Sequence, residues 1–366
     1  MTKPALLVLA SERTIYEIRL KPLLDALVEH GVIASFAAID RDLARLGPAT
    51  PQRSFNLVVA QRNISGAQLA FLKRTGAPFV YDIDDLLTEL PANRARDMTA
   101  SNGRIGWCLA KAVAVTTPNG KLAQELVRST GVDFLDRNRL LANGLAPPAP
   151  AARDWQGRAE TLLWVSSDLP LVESATPILA RAIAETANEL GLRATLVGRF
   201  PDHIRDAFAA CEHVPWLDFP AYREFLAGRE RTIAIAPLPV RSREHQAFTD
   251  SKSDIKVVDF LGHGIPAIYS AAFPYRESDL DPRPLVGDDA RAWQTAIREI
   301  AAEPGRFISR EEVARVHRLR AYGSLAAVVG EVIESASGPA MPLPRPSLNA
   351  WLRAAERSLR RWRRRG

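Results

Sequence analysis

Short apolar runs without polar alternation recur along the chain, separated by segments with a helical period. ALLVLA (5–10), VIASFAA (32–38), FNLVVAQ (55–61), APFVYDIDD (77–85), KAVAVTTP (111–118) and RLLANG (139–144) read as strands. Between them, IYEIRLKPLLDALVEH (15–30) has an amphipathic helical period that stops at Gly31. Further helices are expected near 65–75, ending at Gly76, and from Asn119 onward. Strands apolar on both faces and spaced by helices predict a parallel sheet covered on both sides. LAPPAPAARDWQGR (145–158) has no period, is rich in proline and alanine, and reads as a linker. The alternation then restarts. TLLWVSS (161–167) is a strand, and a helix over 175–190 ends at Gly191. RATLVGR (193–199) is a strand, HIRDAFAAC (203–211) is helical, and TIAIAPL (232–238) is a strand. FTDSKSDIKVVDFLGHGIPAIYS (248–270) supplies a short helix and the strand AIYS, and a last helix pair covers 290–335. The expected architecture is α/β: two doubly wound domains, 1–150 and 151–338, with a cleft between them, followed by a segment over 339–366.

Composition is compatible with this. The chain has 366 residues, 47% of them apolar, which is enough for two cores. The net charge of +6 looks like a nucleic-acid signal until it is located. The last sixteen residues, WLRAAERSLRRWRRRG, carry seven arginines and one glutamate, so they account for the whole excess. The rest of the chain is neutral, and no nucleic-acid partner is expected. PAMPLPRPS (339–347) is a proline-rich spacer. Beyond it, Trp351, Leu352, Ala355, Leu359 and Trp362 fall near helical spacing with arginines between them, a basic amphipathic pattern. A solvated terminus, an anionic membrane surface, and contact with RNA or a protein all fit it; the membrane reading draws on arginine attraction to acidic headgroups and tryptophan anchoring. Cys108 and Cys211 stand far apart and read as reduced thiols. No apolar run reaches the roughly 18 residues of a spanning helix. MTKPALLVLASERT reads as a first buried strand rather than a signal peptide, so a cytoplasmic protein is expected, at most peripheral at the inner membrane face.

The 248–270 stretch carries the clearest chemistry. Ser253 is the expected N-cap of a helix beginning at Asp254, with Val257, Val258 and Leu261 on its core face and Gly262 and Gly264 at its end. Lys256 and Asp259, three apart, share the other face and can reach one ligand. Lys252 precedes the cap, where free N–H groups and the helix dipole favour an anion. Together these suit a nucleoside diphosphate, with lysines for phosphate and a carboxylate for ribose hydroxyls. A solvated lysine face has the same pattern. Asp82, Asp84 and Asp85 stand where the fourth strand ends, suited to binding an acceptor hydroxyl, to acting as a base, or to capping the next helix. Ser11 and Arg13, after the first strand, are further candidates. None of the six histidines forms a cluster, and His263, between two glycines, reads as a turn residue.

TIAIAPLPV and FTDSKSDIKVVDFLGHGIPAIYS, continuing into AAFPYRE, resemble the donor-site region of GT-B glycosyltransferases, above all the large retaining family 4 of bacterial polysaccharide and lipopolysaccharide enzymes. Ala236-Pro237-Leu238, Phe248, Lys252-Ser253, Lys256, Asp259 and Gly264-Ile265-Pro266 follow the order of that group's pattern. IRLKPLLDALVEHG (18–31), YDIDDLL (81–87), VTTPNGKLA (115–123) and LLAN (140–143) resemble its first half, so the likeness spans residues 5–330. It implies two Rossmann-like domains, a nucleotide-sugar donor, a glycan or lipid-linked acceptor, and metal-independent transfer without a cofactor. Although Asp82 to Asp85 look like a metal-binding Asp-x-Asp, GT-B enzymes generally do not use that motif for metal. In the family the second of two acids binds donor ribose, and Asp259 holds that place with a shorter side chain; the first falls on Ser251. The usual arginine and lysine after the first strand of the second domain are missing from LWVSSDLPLVES. Lys252 and Lys256, with Arg199, Arg241 or Arg243, then have to neutralise the diphosphate. Trp216 or Phe219 flanks the base or is an ordinary core aromatic. Asp84 and Asp85 are the catalytic candidates, with Ser11, Arg13 and Asp82 on the acceptor side. Two other functions fit the same residues: a GT-B-like nucleotide-binding or scaffold protein without turnover, and sugar-nucleotide epimerisation.

Overall fold

Strands apolar on both faces need cover on both sides, and each of the two large sheets among the described residues has helices to supply it. The computed structural model describes residues 3–46, 54–90, 99–145, 155, 157–166, 177–238 and 246–342. Within these the chain forms two compact units. Unit 1 takes the chain up to Thr88, the stretch ending at Ala142, and the chain from Leu325; unit 2 takes Glu89 and Leu90 and runs from Asn143 to Ser324.

In unit 1, β1 (Ala5–Leu9), β2 (Ser35–Ile39), β5 (Leu57–Gln61), β6 (Phe79–Asp82), β7 (Ala114–Thr117) and β8 (Asn138–Leu140) run parallel, and β3 (Arg45–Leu46) adds an antiparallel edge. The order is β3-β2-β1-β5-β6-β7-β8, so the winding reverses between β1 and β5. Leu9 pairs with Ala60, and Gln61 with Asp82, which brings Ser11, Arg62 and Asp84 to one edge of the sheet. The helix expected over 15–30 is instead three pieces: α1 (Arg13–Ile15), a π-helical turn (Tyr16–Leu20) and α2 (Lys21–Glu29). The wide turn carries Arg19, which is buried and reaches Asp82. The helix α3 (Gly66–Thr75) starts at a complete Ser65–Gln68 capping box, and α5 (Gly120–Thr130) at an Asn119 cap. The sequence pattern had no helix over α4 (Thr99–Lys111), which contains Gly103 and Gly106; Ile105, Cys108 and Leu109 hold it to the core.

In unit 2, β9 (Thr161–Ser166), β10 (Arg193–Gly198), β11 (Glu212–Val214), β12 (Thr232–Ala236), β13 (Ala267–Ser270) and β14 (Leu285–Val286) are all parallel, in the order β11-β10-β9-β12-β13-β14. This is the doubly wound order with its switch between β9 and β12. Leu162 and Trp164 pack with Ile183 and Trp293 on one face, while Leu163 packs with Val258 and Leu261 on the other. Around the sheet lie α6 (Pro177–Glu189), α7 (Asp202–Ala207), α8 (Phe219–Ala227), α9 (Gln246–Asp250), α10 (Ile255–Gly262) and α11 (Phe273–Arg276). The expected final helix pair is three helices, α12 (Ala290–Ala302), α13 (Arg310–Arg320) and α14 (Tyr322–Ala336), because extended backbone at Ala321 (φ −58°, ψ 136°) breaks the last stretch.

The second domain, expected to run from 151 to 338, therefore differs from unit 2 at its C-terminal end. From Leu325 the chain belongs to unit 1, where β15 (Met341–Pro342) pairs antiparallel with β4 (Ser54–Phe55) and the Gly338 N–H donates to Asn56 O at 3.0 Å. Both cysteines are free thiols. Among the described residues no helix is long and apolar enough to cross a membrane. The basic segment with Trp351 and Trp362 lies outside the described residues.

Candidate functional site

Parallel strands put all their following loops at one edge, and α10 begins beyond the carboxyl end of β12, where open α/β sheets receive ligands. The helix starts one residue later than the sequence suggests. Asp254, not Ser253, is its cap residue, and no side chain caps it. The Asp254 carboxylate is drawn elsewhere, accepting from Ser278 Oγ at 2.7 Å and Arg320 Nη2 at 2.8 Å. Ser253 is half-buried at the turn before the helix.

Lys256 and Asp259 do meet, as their spacing predicts, but not in simple contact. Lys256 Nζ lies 3.7 Å from Asp259 Oδ2, and a third group sits beside both. Tyr222 Oη, from α8, donates to Asp259 Oδ2 at 3.0 Å and accepts from Lys256 Nζ at 3.4 Å. Asp259 is 9% exposed. Burial pushes the Tyr222 phenol well above its ordinary value, and the Asp259 charge and hydrogen bond add to this, so the hydroxyl stays a donor. Burial lowers the Lys256 ammonium, with Asp259 opposing the shift. Arg223 stands next in α8, its Cζ 5.8 Å from the Phe219 ring; burial lowers its pKa, while the phenol of Tyr322 and the charge of Asp259 oppose the drop. His263 Nδ1 is 2.6 Å from Asp259 O, so this histidine braces the helix end.

The other donor-side candidates are spread more widely. Lys252 Nζ lies 4.2 Å over the Phe248 ring. Ser251 is fully buried and its Oγ has no hydrogen-bond partner; the same holds for Thr249 Oγ1 and Tyr269 Oη. Arg199 is exposed after β10, its backbone N–H bonded to Ser166 O. Trp216 is 47% exposed, not a core aromatic. Arg241 and Arg243 lie outside the described residues.

At the corresponding edge of unit 1 the acidic cluster is organised by a residue that sequence reasoning missed. Arg62 Nε lies 3.1 Å from Asp84 Oδ1, and Arg62 Nη2 lies 3.3 Å from Asp85 Oδ2. Burial works against the Arg62 charge, yet Asp84 and Asp85 outweigh it and raise its pKa. Arg62 has a left-handed backbone (φ 52°), held by its own N–H to Asp82 O and by Tyr81 Oη to its carbonyl, both at 2.7 Å. Asp82 faces inward and is 1% exposed; Arg19 forks onto its carboxylate and Thr116 Oγ1 donates to it at 2.8 Å. Ser11 and Gln61 are both buried, and neither side chain has a hydrogen-bond partner. Arg13 points outward to Glu17 at 2.7 Å. Among the described residues no three His, Cys, Asp or Glu side chains converge as a metal set. Of the partners missed, Tyr222 and Arg223 had a local signal, an Asp218 cap followed by Pro220 that marks a helix start. Arg62 had none beyond its place after a strand.

No protein-family model and no curated protein matches the chain. Solved structures do. Anabaena HepE in complex with UDP and glucose aligns over 91% of this chain and 100% of its own, with TM-score 0.58 and 12% identity. UDP-GlcNAc 2-epimerase from Neisseria meningitidis, bound to UDP-GlcNAc, aligns over 90% of this chain and 100% of its own, with TM-score 0.54 and 10% identity. The pneumococcal O-GlcNAc transferase GtfA, in complex with UDP and GlcNAc, aligns over 76% of this chain and 56% of its own, with TM-score 0.53 and 12% identity. Likeness at such identities speaks for the fold, and the fold is GT-B: two Rossmann-like units, each a parallel sheet wound in both directions.

Proposed function

We propose that the protein is a glycosyltransferase that moves a sugar from a nucleotide-sugar donor to a glycan or lipid-linked acceptor, without metal and with retention, in cell-surface polysaccharide synthesis. The observation that carries this reading is the Lys256–Tyr222–Asp259 group at the start of α10, which places a cation and a carboxylate side by side beyond the end of β12. Lys256 and Lys252 supply charge for the diphosphate, Asp259 takes ribose hydroxyls, and Ser251, Ser253, Arg199 and Trp216 complete the donor side. Asp84 and Asp85 are the acceptor-side ligands or base, with Ser11, Arg13 and Asp82 around them. Such a site works by positioning and by stabilising charge on the leaving diphosphate. The basic segment over 351–366 is proposed to rest on an anionic membrane surface. The fold neighbours' bound UDP and UDP-GlcNAc support a nucleotide sugar as the ligand class.

A second reading has its own support. Among the neighbours are UDP-GlcNAc 2-epimerases, and epimerisation needs the same nucleotide site with no acceptor. One experiment separates the two. Purified protein is screened for thermal shift against UDP, GDP, ADP, CMP and dTDP, together with Lys256→Ala and Asp259→Ala. Ligand at 100 times its Kd stabilises by about 2.7 kcal/mol, a readable rise in Tm. A rise with one nucleotide, lost in both variants, locates the site and chooses the donor series. NMR of donors incubated with candidate glycan or lipid-linked acceptors then shows either a glycosylated acceptor with free nucleoside diphosphate, for transfer, or an epimerised sugar still on its nucleotide, for epimerisation. No shift with any nucleotide overturns the reading and leaves a scaffold role.

A further inference from the structure

Resting on that reading of the donor site, we infer that Tyr222 is a positioning residue that fixes the Asp259 carboxylate within its ion pair with Lys256 and so gives the site its selectivity for ribose. Lys256 and Asp259 lie one helical turn apart on α10, close enough to form a direct ion pair. They do form that pair, Nζ to Oδ2 at 3.7 Å, a separation longer than a hydrogen bond. The Tyr222 hydroxyl serves both, with its one proton on Asp259 Oδ2 at 3.0 Å and a lone pair toward Lys256 Nζ at 3.4 Å. The Lys256 ammonium also lies 5.2 Å from the Tyr222 ring centroid, so ring and hydroxyl together hold it.

This geometry divides the Asp259 carboxylate between two tasks. Oδ2 is anchored by Tyr222, and Oδ1 is left to accept from a ribose hydroxyl. Within α10, Lys256 meets the same Oδ2 only at the longer distance of 3.7 Å, and His263, just past the helix end, meets the Asp259 backbone carbonyl rather than the carboxylate. The burial that keeps the phenol protonated makes the anchor permanent over the working pH range. Asp259 is a short side chain for a ribose ligand, and a fixed carboxylate compensates by giving up less freedom when the sugar binds.

The test is calorimetric titration of the full chain with whichever of UDP, GDP or ADP binds tightest, and with its 2′,3′-dideoxy analogue. The wild type is expected to prefer the ribonucleotide roughly tenfold or more, the range of a hydrogen bond to a charged group. Tyr222→Phe removes only the hydroxyl; it is expected to weaken the ribonucleotide more than the dideoxy analogue and so to bring their ratio toward unity, as Asp259→Asn also does. Lys256→Met is expected to weaken both ligands while keeping the ratio, because Tyr222 still holds the carboxylate. If Tyr222→Phe keeps the full ratio, or weakens both ligands equally at a constant ratio, the tyrosine is structural only and the inference fails while the donor site stands. The inference also fails if Lys256→Met abolishes the ratio, for then the lysine orients Asp259. Absence of any nucleotide binding by the wild type overturns the proposed function and this inference together.

Discussion

At the scale of single residues, the site is governed by how much water each charge has lost. Burial depresses Lys256 below the ordinary lysine value of 10.5, and only a protonated Lys256 attracts a diphosphate. On the proposed reading, nucleotide affinity is therefore expected to fall as pH rises through that depressed value, before a free lysine would titrate. Lys256→Arg, whose charge persists past pH 12, should extend binding to higher pH; titrations across pH 7–10.5 check this. The pair Arg19–Asp82 is a second case, with side chains 3% and 1% exposed. Arg19→Leu leaves a buried carboxylate with Thr116 as its remaining side-chain donor, so unfolding free energy should drop by about 3–5 kcal/mol in denaturant titrations. Neither effect was visible in the sequence. The spacing of Lys256 and Asp259 was legible because three residues along a helix is a local relation. Tyr222 lies 37 positions from Asp259, and Arg62 lies 23 from Asp85; only the folded sheet brings such partners together.

At the scale of elements, the parallel strands were the most legible part, since runs such as TIAIA and LLVL are apolar on both faces and few other environments tolerate that. Helix boundaries were less so. The start of α10 is set by the pull of Arg320 and Ser278 on Asp254, both remote in sequence, and α4 is held by packing against the poor propensity of its two glycines. The α3 cap makes a graded test. Ser65→Ala removes the cap bond to Gln68 N and should cost about 1 kcal/mol. Gln68→Ala should cost more, because its amide also donates to Ala10 O at 3.1 Å and Asp40 O at 3.0 Å, tying the ends of β1 and β2 to the helix. Gly198, at the end of β10, has φ 105°, and a Cβ there would lie 2.0 Å from Ser166 O. Gly198→Ala is expected to destabilise unit 2 by about 3 kcal/mol or more, read as a lower Tm.

At the scale of the whole molecule, charge is unevenly shared. The net +6 resides in residues 351–366, so deleting them yields a chain of zero net charge. If that segment is the membrane contact, the truncated protein should lose co-sedimentation with phosphatidylserine vesicles while its Tm stays unchanged; retained sedimentation would move the contact elsewhere. The two-unit organisation was legible from the restart of strand–helix alternation, but the return of the chain to unit 1 was not, because nothing local in α14 marks the crossing at Leu325. That return has a consequence for synthesis. The Asn56 side chain accepts from Ala5 N at 2.9 Å and donates to Gly338 O at 3.2 Å, so one residue clasps β1 and the stretch just before β15. The two halves of the second bond are 282 residues apart. At ribosomal speeds of about 5–20 residues per second, the clasp waits roughly 15–60 s for its far half. All of unit 2 emerges during that interval. A nascent chain cut short near residue 324 would thus carry a finished unit 2 and a unit 1 still missing its closing strand.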